Sequence, residues 1–158
     1  FITNLANVVK IPEPQLQLVS LNDRVAACNM FMETVCRNRN ITLHLTLCDE
    51  NPHVRMDTSL FEQVLVNIIK NAAESIGEEG NIFIRTSVFP TMLEIADTGA
   101  GISKEVEAKL FSPFFSTKPN GQGIGLIFIR EVLMKHGCTF SLRTYSDGLT
   151  RFRIRFSA

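Results

Sequence analysis

TSLFEQVLVNIIKNAAESI, residues 58–76, is the stretch from which the fold is read. At about 100° per residue, Phe61, Val64, Leu65, Ile68, Ala72 and Ile76 share one broad apolar face. A stripe of that period predicts a helix laid on a core. Asp57 or Thr58 can cap its start, and Gly77 and Gly80 end it. Gln63, Asn67, Asn71 and Glu74 share a second face. A solvated helix face is the bland account of such a stripe. Asparagine, however, is a poor helix former, and a surface face would more naturally carry Lys and Glu. Two asparagines one turn apart weaken the helix without a local gain, so the stripe is marked for chemistry.

Working upstream, Ile41, Leu43, Leu45 and Leu47 alternate with Thr42, His44 and Thr46, which predicts a half-buried strand. Before it, a helix capped by Asn22 or Asp23 runs to about Arg39, preceded by a short strand over 16–21. Residues 1–10 read as helix, stopped by Pro12 and Pro14. A short extended piece lies around 54–56. Downstream come strands over 81–88 and 92–96, joined through Phe89-Pro90-Thr91. A long irregular stretch, 97–123, holds one short helix over 104–110; a loop of that length in a compact domain is usually functional. A helix over 124–135 stops at Gly137, and strands over 139–145 and 150–156 turn on Asp147-Gly148. This order predicts a two-layer α/β (α+β) sandwich, a mixed β-sheet with helices on one face.

The chain has 158 residues, 45% of them hydrophobic, enough for one domain with its own core. Lys and Arg number 16 and Asp and Glu 16, which gives no general electrostatic reason to expect nucleic acid or an anionic membrane as partner. No apolar run approaches the roughly 20 residues of a membrane-spanning helix. The chain opens on Phe1 rather than Met, read as a cut from a longer protein. Cys28, Cys36, Cys48 and Cys138 form no C-x-x-C pair and have no histidine at zinc-ligand spacing, so buried free thiols are expected.

Three further motifs follow the helix. Asp97-Thr98-Gly99-Ala100-Gly101 ends an apolar strand. It is an ordinary turn, or an acceptor carboxylate facing a pocket beside glycines that let a flat ring approach the backbone. Leu110-Phe111-Ser112-Pro113-Phe114-Phe115-Ser116-Thr117-Lys118 puts three phenylalanines in a loop. They anchor it, or they seat a lid with Lys118 able to meet a phosphate. Asn120-Gly121-Gln122-Gly123-Ile124-Gly125-Leu126 opens the 124–135 helix. Glycines at alternate positions before a helix N-terminus can cradle phosphate, yet the pattern is neither the P-loop nor the dinucleotide fingerprint.

Taken in order, the amide helix, D-x-G-x-G, F-x-x-F-F and G-x-G-x-G-L resemble the N, G1, F and G2 boxes of the GHKL ATPase/kinase superfamily, in the version found in sensor histidine kinases. The likeness covers about 57–137, and Pro12-Glu13-Pro14-Gln15-Leu16 resembles the link from a dimerisation domain. It implies residues 1–14 as the end of a dimerisation helix and linker, and 15–158 as a catalytic domain that binds ATP and Mg²⁺ under an ATP lid. By the same resemblance Asn71 ligates Mg²⁺, Asn67 lines the phosphate site, and Asp97 accepts from the adenine amino group. Gly99 and Gly101 admit the base, and Thr117, Lys118, Gly121, Gly123, Gly125 and Leu126 lie along the nucleotide. The gyrase-like, mismatch-repair and chaperone branches place Glu where Asn67 stands; an amide cannot activate water, so transfer to a histidine is expected over fast hydrolysis. Many sensor kinases have Lys or His where this chain has Glu74, a departure that leaves Lys70, Lys118 or Arg130 to supply positive charge. His44, His53 and His136 lack the phosphoacceptor context, so the acceptor is expected upstream. The implied partners are that dimerisation domain, in a homodimeric parent, and a response regulator, with no nucleic acid. The implied setting is a cytoplasmic domain, with an inner-membrane anchor of the parent left open. A degenerate nucleotide-binding module without phosphotransfer is the alternative.

Overall fold

The computed structural model describes residues 10–111 and 124–157. The helix expected over 1–10 falls almost wholly outside them. In chain order the elements are β1 (Gln17–Ser20), α1 (Leu21–Arg37), β2 (Ile41–Thr46), β3 (His53–Met56), α2 (Thr58–Ile76), β4 (Gly80–Ser87), β5 (Met92–Asp97), α3 (Lys104–Glu107), α4 (Ile124–Lys135), β6 (Thr139–Thr144) and β7 (Thr150–Arg155).

Five strands form one mixed sheet in the order β2-β4-β5-β7-β6, with β2 and β4 parallel and the other pairs antiparallel. The parallel pair needs a crossover, and α2 is part of it. Helix α2 packs between α1 and α4 over one face of the sheet. Its apolar stripe is buried as expected: Phe61, Val64, Leu65 and Ile68 all lie in the core, and Phe61 meets Phe156 edge-on. From the sheet, Ile82, Ile84, Leu93, Ile95, Phe152 and Ile154 meet the helices. The other face carries His44, Phe83 and Arg85, all exposed. This is the two-layer sandwich that the periodicities predict.

Three details differ from the sequence expectation. Ser20, not Asn22 or Asp23, caps α1, its Oγ accepting from the Asp23 amide at 3.1 Å. Asn22 is buried instead: its amide donates to the Cys48 carbonyl at 2.8 Å and accepts from the Thr86 hydroxyl at 2.7 Å. A side chain spent on a long-range network cannot serve the local cap. The strand over 16–21 is shorter and leaves the main sheet, pairing antiparallel with β3 in a two-stranded ribbon. The short helix stops at Glu107 rather than Leu110. Cys28, Cys36 and Cys138 are buried free thiols, and burial pushes Cys28 up to about 12 and Cys138 up to about 11, which keeps them protonated and inert.

Candidate active site

Strand β5 is central, paired on both edges, with Asp97 opposite Ile82 of β4 and Thr150 of β7. The alternation that buries Leu93 and Ile95 also points Asp97 inward, and it is only 6% exposed. Burial pushes its carboxyl up from 3.8 to about 6, opposed in part by the Gly99 amide, which donates to Oδ1 at 2.8 Å. Asp97 lines a cavity of about 540 Å³ between α2, the sheet and α4. Ile68, Asn71 and Ala72 of α2 line one side, and Leu126 of α4, Leu142 and Phe152 another. The cavity is therefore mainly apolar, with Asp97 its buried carboxylate and Asn71, Glu74, Ser75, Ser103 and Thr150 its other polar lining, a composition suited to a flat heteroaromatic ring with a polar tail.

The loop after Asp97 is fastened at both ends. A Cβ on Gly99 would stand 2.3 Å from Ser75 Oγ and 2.9 Å from the Ser75 carbonyl carbon, so only glycine lets the loop lie against the end of α2. The Ala100 amide donates to the Ser75 carbonyl at 3.3 Å. Gly101 adopts φ +84°, a left-handed conformation that glycine takes without strain. Next to it the Ile102 amide donates to Thr144 Oγ1 at 2.7 Å, and Thr144 Oγ1 lies 2.7 Å from Thr150 Oγ1. Phe111, the first aromatic of the lid motif, packs edge-on against Phe140 and Phe152, with ring centroids 5.3 and 6.3 Å away. For that residue the anchoring account holds.

Asn71, Asp97, Gly101 and Leu126 thus come together on the cavity wall, with Gly99 behind Asp97. Asn67, one turn before Asn71, is half-buried and is not among the lining residues. Gly125 falls in the first turn of α4. Thr117, Lys118, Gly121 and Gly123 lie outside the described residues, as do Phe114 and Phe115. Of the other cations considered, Lys70 is exposed and Arg130 is ion-paired with Glu131. Sequence reasoning missed Ser75, Ile102, Thr144 and Thr150. The two threonines were legible in part, because a hairpin turning on Asp147-Gly148 sets Thr144 opposite Thr150. Among the described residues no helix is long and apolar enough to cross a membrane.

The family described as "Histidine kinase-, DNA gyrase B-, and HSP90-like ATPase" matches residues 56–158, and the chain belongs to it. Within that family it is a catalytic, ATP-binding domain of the sensor histidine kinase kind. It is 29% identical over 155 residues to the sensor histidine kinase ZraS of Escherichia coli O157:H7, covering 97% of this chain and 34% of that kinase. The chain thus spans about a third of that relative's length. The nucleotide-free catalytic domain of the histidine kinase ThkA superposes with a TM-score of 0.81 at 28% identity, covering 90% of this chain and 95% of that domain. A solved complex of ThkA with the response regulator protein TrrA aligns with a TM-score of 0.77 at 25% identity, covering 99% of this chain and 46% of ThkA.

Proposed function

We propose that this domain binds Mg·ATP and delivers the γ-phosphoryl group to a histidine on a dimerisation domain outside residues 15–158, for relay to a response regulator. The observation that carries the reading is Asp97, a buried carboxylate at a strand end in an apolar cavity. Its acceptor is matched to the amino group of adenine, and Gly99 keeps the loop beside it packed on the end of α2. Asn71, on the cavity wall, would hold Mg²⁺ with the phosphates, and the ion would neutralise their charge. Asn67 is proposed to line the phosphate path further along α2. Thr117, Lys118, Gly121, Gly123 and Gly125 are assigned to the phosphates on sequence grounds, with Leu126 and Gly101 bounding the base.

In the transfer, the bond from the γ-phosphorus to the β,γ-bridging oxygen breaks and a bond to the histidine nitrogen forms, with ADP leaving. Such a step rests on positioning and charge neutralisation rather than on covalent help from the domain. Asn67 provides no base for water, so hydrolysis by the isolated chain is very slow. His44 stacks on Phe83 and His136 is hydrogen-bonded at both ring nitrogens, so neither is assigned as the acceptor. The solved complex of ThkA with TrrA supports a response regulator as partner. The proposal further takes the parent as a homodimer and this domain as cytoplasmic.

The test is calorimetric titration of Mg·ADP and a non-hydrolysable ATP analogue into the wild type, Asp97→Asn and Asn71→Asp. Saturable binding that Asp97→Asn weakens by one to two orders of magnitude supports the reading. Rapid ATP turnover by the wild type, or no binding by a demonstrably folded chain, sinks it.

A further inference from the structure

We propose that His136 is a positioning residue for the nucleotide site. As the neutral Nδ1–H tautomer it pins the start of α2, the helix carrying Asn71, to the end of α4, and Asp57 extends that anchorage to the segment around Gln15. The proposal rests on the nucleotide-binding reading above.

The tautomer follows from the bonding. The Asp57 main-chain amide lies 3.0 Å from His136 Nε2. An amide N–H can only donate, so Nε2 must carry a lone pair, and the ring proton sits on Nδ1, 2.8 Å from the Val132 carbonyl. Asp57 is a three-way junction. Its amide reaches His136, its Oδ1 caps α2 by accepting from the Leu60 amide at 3.0 Å, and its Oδ2 accepts from the Gln15 amide at 2.9 Å. These ties span 79 and 42 residues of chain. Glu13 lies 3.8 Å from Lys135 Nζ at the end of α4, so the 13–15 segment touches both helices. Both helices also wall the cavity, α2 through Asn71 and α4 through Leu126. A shift of the preceding segment is thereby carried to the two sides of the nucleotide site rather than absorbed by one loop.

Besides the Asp57 carboxylate, the charged groups at this junction are Glu13 of the preceding segment and Lys135 of α4, 3.8 Å apart.

The test uses the whole chain at pH 8, where Asp97 is ionised, and compares wild type, His136→Phe and His136→Gln; glutamine keeps an acceptor and phenylalanine does not. Long-range ¹H–¹⁵N spectra of the imidazole should show the Nδ1–H tautomer. Hydrogen exchange at the Asp57 amide should rise about tenfold in His136→Phe, as loss of one hydrogen bond implies, and return toward wild type in His136→Gln. Mg·ADP affinity should fall about three- to tenfold in His136→Phe, with partial rescue by His136→Gln. An Nε2–H tautomer, unchanged Asp57 exchange in His136→Phe, or wild-type affinity in that variant overturns the proposal while leaving the nucleotide assignment standing. A folded wild type that binds no Mg·ADP overturns the nucleotide reading and this proposal with it.

Discussion

Replacing Asp97 by Asn should move stability and binding in opposite directions. The carboxyl is held at about 6 against an ordinary 3.8, mainly by burial. A raised carboxyl binds its proton more tightly in the native state than in the unfolded chain, so native stability falls as pH rises from about 4 through about 6. Above that window the ionised group costs the fold up to about 3 kcal/mol, at about 1.4 kcal/mol per tenfold in the proton equilibrium. Asparagine is nearly isosteric, never ionises, and can still accept the Gly99 amide through its oxygen. At pH 7.5 the variant should therefore melt higher, by on the order of 5–10 °C for a chain of this size, with the gain vanishing below about pH 4. Its amide nitrogen, however, offers a donor where adenine also donates. Losing a charged acceptor and burying the mismatch costs about 1.5–3 kcal/mol, or roughly 10- to 150-fold in Kd. Calorimetric melting and Mg·ADP titration on the same samples check both halves. A variant that melts lower at pH 7.5, or binds Mg·ADP as tightly as wild type, refutes the reasoning.

Wild-type Mg·ADP affinity should fall as pH drops through about 6, close to tenfold per pH unit once Asp97 is mostly protonated, and the Asp97→Asn variant should lack that dependence over the same range. Gly99→Ala should lose nucleotide binding and destabilise the chain by about 1–3 kcal/mol in urea melts, because its Cβ would meet the Ser75 main chain at 2.9 Å. Phe61→Ala, at a side chain 2% exposed beneath Phe156, should cost about 3–5 kcal/mol of unfolding free energy without altering the adenine wall. Asn71→Asp should change Mg·ADP affinity far more than affinity for ADP in excess EDTA, read by parallel titrations.

The sequence by itself determined the elements and their inner faces. The 3.6-residue stripe of 58–76 and the alternation of Ile41, Leu43 and Leu45 are local repeats, and burial follows such repeats because each is the cheapest way to remove apolar surface from water. It also determined the family, because four short motifs in fixed order are a chain property needing no coordinates. Sequence reasoning placed Asp97 at a strand end and Asn71 on the polar side of its helix, and both line the cavity. Only the tertiary structure decided what holds that cavity in shape. Ser75 against Gly99, Thr144 beneath Ile102, and His136 bonded to Asp57 join residues distant in the chain, and nothing in the local pattern of a serine, threonine or histidine says which backbone amide it will meet. Asn22 shows the same limit: by local propensity it is a helix cap, yet it is buried against Thr86, 64 residues away. A cap is chosen by its nearest neighbours. A buried polar network is chosen by whichever groups the packed layers leave without water, and that is settled only when the sheet and its helices close on one another.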